Sequence, residues 1–194
     1  MFGRDFLERH TGPKPLSIPF NAAVMTMANL ANPKGWDVSD LAPSSLNGLT
    51  LHVRQAGRVV VWSGASDNTI FGDPEHNYAF RAWHDAMHYA LQLDFSIAGE
   101  AGVAFAQCSD LLDKYGLDDE TTEFCAIILA EIIGSAHWFQ LMGEFPADQV
   151  KYFNSVIGAY RRLAQRVIAE GYREDKPGNR LSMLSLARKM YGAG

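Results

Sequence analysis

The hydrophobic pattern changes period near residue 75. Upstream, Leu49-Thr-Leu-His-Val53 alternates apolar and polar side chains, and Val59-Val-Val-Trp62 is a run of strong β-formers. With Arg54-Gln-Ala-Gly57 as a turn, the pattern predicts a β-hairpin over 49–62. The following segment, Ser63 to Asn77, is rich in Gly, Ser, Asn and Asp and reads as a loop running up to the helical region. Downstream, apolar residues recur at spacings of three and four. This predicts helices over 76–92, 97–115, 119–142 and 146–170, and a short one near 180–190. Gly116 and Gly143 stand where helix-ending glycines belong, Pro146 suits a first turn, and Asp118 or Asp119 can cap the third long helix. A shorter helix over 21–30, capped by Asn21, is broken by Asn32, Pro33 and Gly35.

These elements predict a single domain over 1–194 that is mainly α: a helical bundle of about five to six helices with a small N-terminal β-hairpin. An extended arm, marked by Pro13, Pro15 and Pro19, covers 1–19, the hairpin covers 49–62, and the bundle covers 75–191. Hydrophobic residues make up 47% and charged residues 20%, enough apolar content to pack a core and too much for a disordered chain. A formal charge of -5 argues against general nucleic-acid binding and against a membrane-surface role. Cys108 and Cys125 form no CxxC pair and read as buried free thiols of a reducing compartment. The apolar run Phe124–Ala130 is bounded by Glu123 and Glu131, so no membrane span is expected. Acidic residues and prolines stand where a signal peptide needs an apolar stretch, which gives a cytoplasmic expectation; a homo-oligomer stays open.

The richest chemistry lies in Arg81-Ala-Trp-His-Asp-Ala-Met-His88. His84 and His88 are four apart on a predicted helix, so their imidazoles share a face and can hold one transition-metal ion. The bland alternative is a pair of hydrogen-bonded core histidines. Glu131 sits in an apolar segment, where an ionised carboxylate needs a metal or a partner such as Arg81 or Arg161. At 100° per residue, Glu131 and His137 flank the line through Gly134 by about 60° on either side, so both join His84 and His88 as candidate metal ligands. Glu100 opens the next helix, where the helix dipole alone would favour it, and Asp85 adjoins His84; these two are the candidate catalytic groups. Gln107 lies on the Glu100 face, and with Trp83 and Arg81 it forms the candidate substrate-binding set. No Glu-x-x-His element follows Glu131, which favours one divalent ion, Zn or Fe, over two.

Ala79-Phe-Arg-Ala-Trp-His-Asp85 with His88, Phe95 to Glu100, Glu131 to Gly134, and Phe145-Pro-Ala-Asp-Gln149 together resemble an uncharacterised domain found in bacteriophage proteins. The resemblance spans residues 79 to 150, with one residue fewer between Asp85 and the second histidine than in that pattern. It implies a site and a phage context, with host-cell cytoplasm as the location, and no particular reaction. His84-Asp-Ala-Met-His88 is also similar to the HExxH motif of zinc peptidases, with Asp85 in place of the glutamate base. The dipeptide His84-Asp85 resembles that of the HD phosphohydrolases.

Three functions follow as expectations. The first is a metal-dependent hydrolase acting on a small-molecule or nucleotide-like substrate. The second is a mononuclear non-haem iron oxygenase using the same ligands. The third is a non-catalytic phage accessory, virion or host-interaction protein whose polar interior is structural.

Overall fold

A computed structural model describes residues 14–176 and 178–192. The mainly-α bundle is present. In chain order it runs α1 (Ile18–Ala31), β1 (Asp37–Ser39), α2 (Leu46–Ala56), β2 (Val60–Trp62), α3 (Pro74–Leu91), α4 (Ile97–Tyr115), α5 (Asp119–Leu129), a π-helical turn (Ala130–Gly134), α6 (Ser135–Met142), α7 (Gln149–Gly171) and α8 (Asn179–Tyr191). Most of the extended arm lies outside the described residues; its last two positions, Ile18 and Pro19, already belong to α1.

The hairpin is not formed. Residues 46–56 are helical, and β2 pairs with β1 in parallel, Val61 opposite Val38. Parallel neighbours need a crossover, and α2 supplies it. The helix had its own punctuation: the Ser45 hydroxyl accepts from the Gly48 N–H, and Gly57 ends the helix at φ 73°. Leu49 and Val53, read as alternating strand positions, are also i and i+4 of a helix. They pack with Val59, Val61 and Ala82 in a small cluster against α3, while Leu51 is exposed. In α1, Ser17 rather than Asn21 is the cap; Asn21 is buried and donates to the Phe71 carbonyl. Pro146 lies in the loop before α7, which Asp148 caps.

The main core is built on α4, with α3, α5 and α8 packed around it and α7 outside α5. Ala101, Gly102, Val103, Ala104, Phe105 and Ala106 are all buried, so this part of α4 is enclosed on every side, as a helical segment apolar all round must be. Small residues there permit close helix approach. The two free cysteines tie α4 to α5 reciprocally: each thiol sits 3.7–3.8 Å from the other residue's carbonyl oxygen. The continuous helix Asp119–Met142 is long and apolar enough to cross a bilayer by length and composition, yet its apolar residues from Phe124 to Ile133 are core residues here.

The turn from α3 to α4 fixes their register. Gln92 adopts φ 54°, and the Ser96 hydroxyl caps α4 by accepting from the Gly99 N–H. A Cβ at Gly99 would lie 1.8 Å from the Asp94 carbonyl oxygen, so only glycine lets the turn close this tightly. Gly99→Ala is therefore expected to destabilise the protein by about 1–3 kcal/mol, the range for overpacking a filled site, measured by urea denaturation.

Candidate metal centre

The α3–α4 turn brings three acceptor atoms together. His84 and His88 lie one helical turn apart on α3, and Glu100 enters from the first turn of α4. Their Nε2 atoms are 2.9 Å apart. A Glu100 carboxylate oxygen is 3.1 Å from the His84 Nε2 and 3.6 Å from the His88 Nε2. Metal–ligand bonds of about 2.0–2.2 Å place neighbouring donors on one ion roughly 3 Å apart, so the triangle has the size of one face of a coordination shell. These three residues could hold a metal ion.

The other ring nitrogens are already committed. The His88 Nδ1 is 2.8 Å from the Leu93 carbonyl, an atom that can only accept, so Nδ1 carries the proton and Nε2 faces the cluster with a lone pair. The His84 Nδ1 is 3.4 Å from the Gln107 side-chain oxygen. Orienting partners of this kind commonly fix metal-binding imidazoles. Phe80 stacks on His84 and Phe95 meets the edge of His88, so both rings are held in place by aromatic neighbours.

Without an ion, the three acceptors must share a proton. Burial pushes the His84 pKa down, but the Glu100 charge, its hydrogen bond and the Asp85 charge outweigh this and raise it overall. Burial and then the charge on His84 hold His88 below its usual value. Burial alone would raise Glu100; His84 and His88 overcome it and bring it to about 2. These shifts favour the ionised form of Glu100, the protonated form of His84 and the neutral form of His88.

The remaining candidates fall in different places. Glu131 lies in the π-helical turn and lines a cleft of about 230 Å³ that also reaches His84 and Glu100. Burial raises its carboxyl to about 7, against the pull of the Arg81 and His84 charges. Asp85 is likewise raised to about 7 by burial, with His84 and Arg81 pulling down and Glu100 pushing up; it does not line the cleft. Gln107 is fully buried behind His84, and its Nε2 has no hydrogen-bond partner. Trp83 is a core residue, 1% exposed, on a different face of α3. His137 lies outside the cluster, its ring 6.3 Å from that of Tyr191. The angular argument for it assumed regular α-helix, and a π-turn delays everything after it by about one residue, or roughly 100°. The close approach at Gly134 is made by Tyr152, whose hydroxyl donates to the Gly134 carbonyl at 2.7 Å.

Arg81 holds the cleft roof. Its guanidinium donates to the carbonyls of Trp62, Gly64 and Ala65 and to the Ser66 hydroxyl, and it lies over the Trp62 ring. Arg161 pairs with Glu123, so it is not the partner of Glu131. The polar Ser63–Ser66 stretch of the loop is thus tied down as a wall, with Asn77 donating to Ser66 at 2.9 Å. Trp62, Phe80, Phe145 and Gln149 also line the cleft; Phe80 belongs to the first piece of the resemblance and Phe145 and Gln149 to its last, while Trp62 was read only as a strand residue. The spacing of four between His84 and His88 was a readable local clue.

In metal-free protein, Glu100→Gln should cost about 3 kcal/mol near pH 6, the scale for stranding one partner of a buried pair. The elevated His84 pKa means this pair stabilises fully below pH about 6.5 and less as pH rises through the folded value. The lowered Glu100 pKa means its contribution is present above about 4.5 and disappears as pH falls toward 2. Urea unfolding across pH should thus show the wild-type advantage over Glu100→Gln shrinking on both sides of this window. No protein-family model matches the chain, and no curated protein or solved structure matches it.

Proposed function

We propose that the protein is a metal-dependent hydrolase whose ion is held by the Nε2 atoms of His84 and His88 and the carboxylate of Glu100. The observation that carries this reading is the convergence of those three acceptors within 3.6 Å of one another. Two imidazoles and one carboxylate leave open positions, as in a catalytic zinc or non-haem iron site. A bound ion would supply Lewis acidity and a water of lowered pKa.

The residues around it have distinct parts. Glu131 faces the same cleft and, with its carboxyl near 7, suits a base that takes the water proton at neutral pH. Gln107 and the Leu93 carbonyl act through the two imidazoles by fixing their orientation. Asp85 adjoins His84 and lies outside the cleft lining, so it bears on the site only through that imidazole. Arg81 keeps the Trp62–Ser66 wall in position.

A second reading, a mononuclear iron oxygenase, draws support from the same donor set, because two histidines and one carboxylate are also the ligands of that class. Elemental analysis of purified protein separates the readings. Wild type should carry about one equivalent of zinc, and His84→Ala and Glu100→Ala should lose it. The zinc form should hydrolyse p-nitrophenyl acetate, and Glu131→Gln should slow this ~100-fold or more with metal content unchanged. Iron with oxygen-dependent turnover would favour the second reading. Equal metal in wild type and His84→Ala would refute both.

A further inference from the structure

We infer that the cleft beside His84 and Glu100 takes a small ligand bearing one carboxylate, held by the open Nε–Nη2 edge of Arg81. This rests on the hydrolase reading for the use made of that ligand, and not for the Arg81 edge itself.

The donor edge comes first. Arginine offers a carboxylate two parallel N–H bonds from its Nε and one terminal nitrogen. The chain uses that edge elsewhere. Arg161 gives its Nε–H at 2.8 Å and an Nη2–H at 2.6 Å to the two oxygens of Glu123, and Arg180 turns the same edge to Asp110. Arg58 and Arg166 also give their Nε–H to a carboxylate. All four are exposed, whereas Arg81 is half-buried and bonds differently. Its Nη1 donates to the Trp62 and Gly64 carbonyls and the Ser66 hydroxyl. Its Nη2 makes one long contact, 3.4 Å, to the Ala65 carbonyl. The Nε–H has no acceptor among the described residues, and Nε is not one of the enclosed polar atoms that lack a partner, so it keeps access to solvent. Because Arg81 lines the cleft, a ligand there can meet this edge.

Charge comes second. The acceptors of Arg81 are all neutral, and none of the ion pairs among the described residues includes it. Burial disfavours its cation, and the carboxyl charges that offset this are Glu131 and Asp85. Burial raises both of those to about 7, so each is partly protonated at neutral pH. A half-buried cation left this way gains from an anion brought to it. A divalent ion on the triad adds to the excess. The ion and Arg81 bring three positive charges to the cleft lining, and Glu100 and Glu131 at most two negative ones. One singly charged anion neutralises the remainder. A phosphate dianion overshoots it, with Glu131 in the same cleft to repel the surplus.

Reach and size come third. Arg81 and His84 are three apart on α3, so they leave the helix as neighbours about 5–6 Å apart at Cβ. A carboxylate on Arg81 and a bond presented to the ion are then separated by only a few atoms. The cleft, about 230 Å³, is smaller than the roughly 300–1,000 Å³ of a drug-sized site. The substrate class is thus a small carboxylic acid carrying its hydrolysable bond close to the carboxylate, which serves as the handle and is not itself the reacting group.

The test titrates benzoate, its neutral isostere benzamide, and phenyl phosphate, a dianion near neutral pH, into zinc-loaded and metal-free protein by calorimetry. Benzoate should bind both forms with a dissociation constant of ~1 mM or tighter, the range open to a ligand of roughly nine heavy atoms. Benzamide should bind ~10-fold more weakly, the scale of one charge-assisted bond, and phenyl phosphate no tighter than benzoate. Arg81→Gln should abolish the preference for benzoate over benzamide. Because that variant could also loosen the 62–66 wall, a second readout uses wild type labelled with nitrogen-15 at arginine. The Nε–H resonance missing from Arg81→Lys belongs to Arg81; benzoate should shift it and benzamide should not. Equal binding of benzoate and benzamide, an unmoved Arg81 resonance at saturating benzoate, or tighter binding of phenyl phosphate would overturn the inference. So would a benzoate preference seen only with zinc bound, which would place the carboxylate on the ion. If wild type takes up no zinc, the hydrolase reading fails on that result alone, and the metal-free titrations still decide the carboxylate site.

Discussion

Three acceptor atoms facing one another inside a protein need a positive charge between them. The lone pair on His88 cannot be turned away, because its opposite nitrogen is spent on the Leu93 carbonyl. His84 meets it at 2.9 Å, and Glu100 closes the triangle. Apart, each group would be a modest burial cost; together they create a place suited to a cation, a proton or a metal ion that the three groups could hold. Glu100 is brought to about 2 and His84 is raised, and both shifts express the same unmet need for charge.

That arrangement depends on backbone more than on side-chain choice. The α3–α4 turn must reverse within a few residues while delivering Leu93 to one histidine and Glu100 to both. Gln92 in the left-handed region and Gly99 against the Asp94 carbonyl make this possible. Behind the turn, α4 is enclosed by apolar neighbours and cannot slide without opening the core. On the far side of the cleft, the π-helical turn brings Glu131 into the wall facing His84 and Glu100. Irregular helical turns of this kind recur at functional sites because they re-aim a side chain without ending the helix.

Much of the bundle was legible in the sequence. Helix α4 is where its apolar spacing and Gly116 put it, and α3, α7 and α8 differ only at their ends. Within the cluster, the i, i+4 histidine pair was visible as a local signal. What was not legible arises from contacts between distant segments or from a change of helical period. Leu49-Thr-Leu-His-Val53 fits a strand by alternation and a helix by its Ser45 and Gly57 boundaries, and the crossover between parallel strands decided it. The π-turn displaced His137 relative to Glu131, a shift no fixed angle per residue can foresee. Gln149 and Trp62 reach the cleft only through the packing of α7 and β2, which neither the Phe145–Gln149 motif nor the strand-like run ending at Trp62 gives from spacing alone.

The most direct measurement is anomalous diffraction at the zinc edge from crystals grown with one molar equivalent of zinc. A single peak bonded to the Nε2 atoms of His84 and His88 and to the Glu100 carboxylate, with Glu131 facing it across the cleft, is the predicted result. A map with no density among those atoms, or zinc bound at other residues while the three groups keep their positions, would contradict the account.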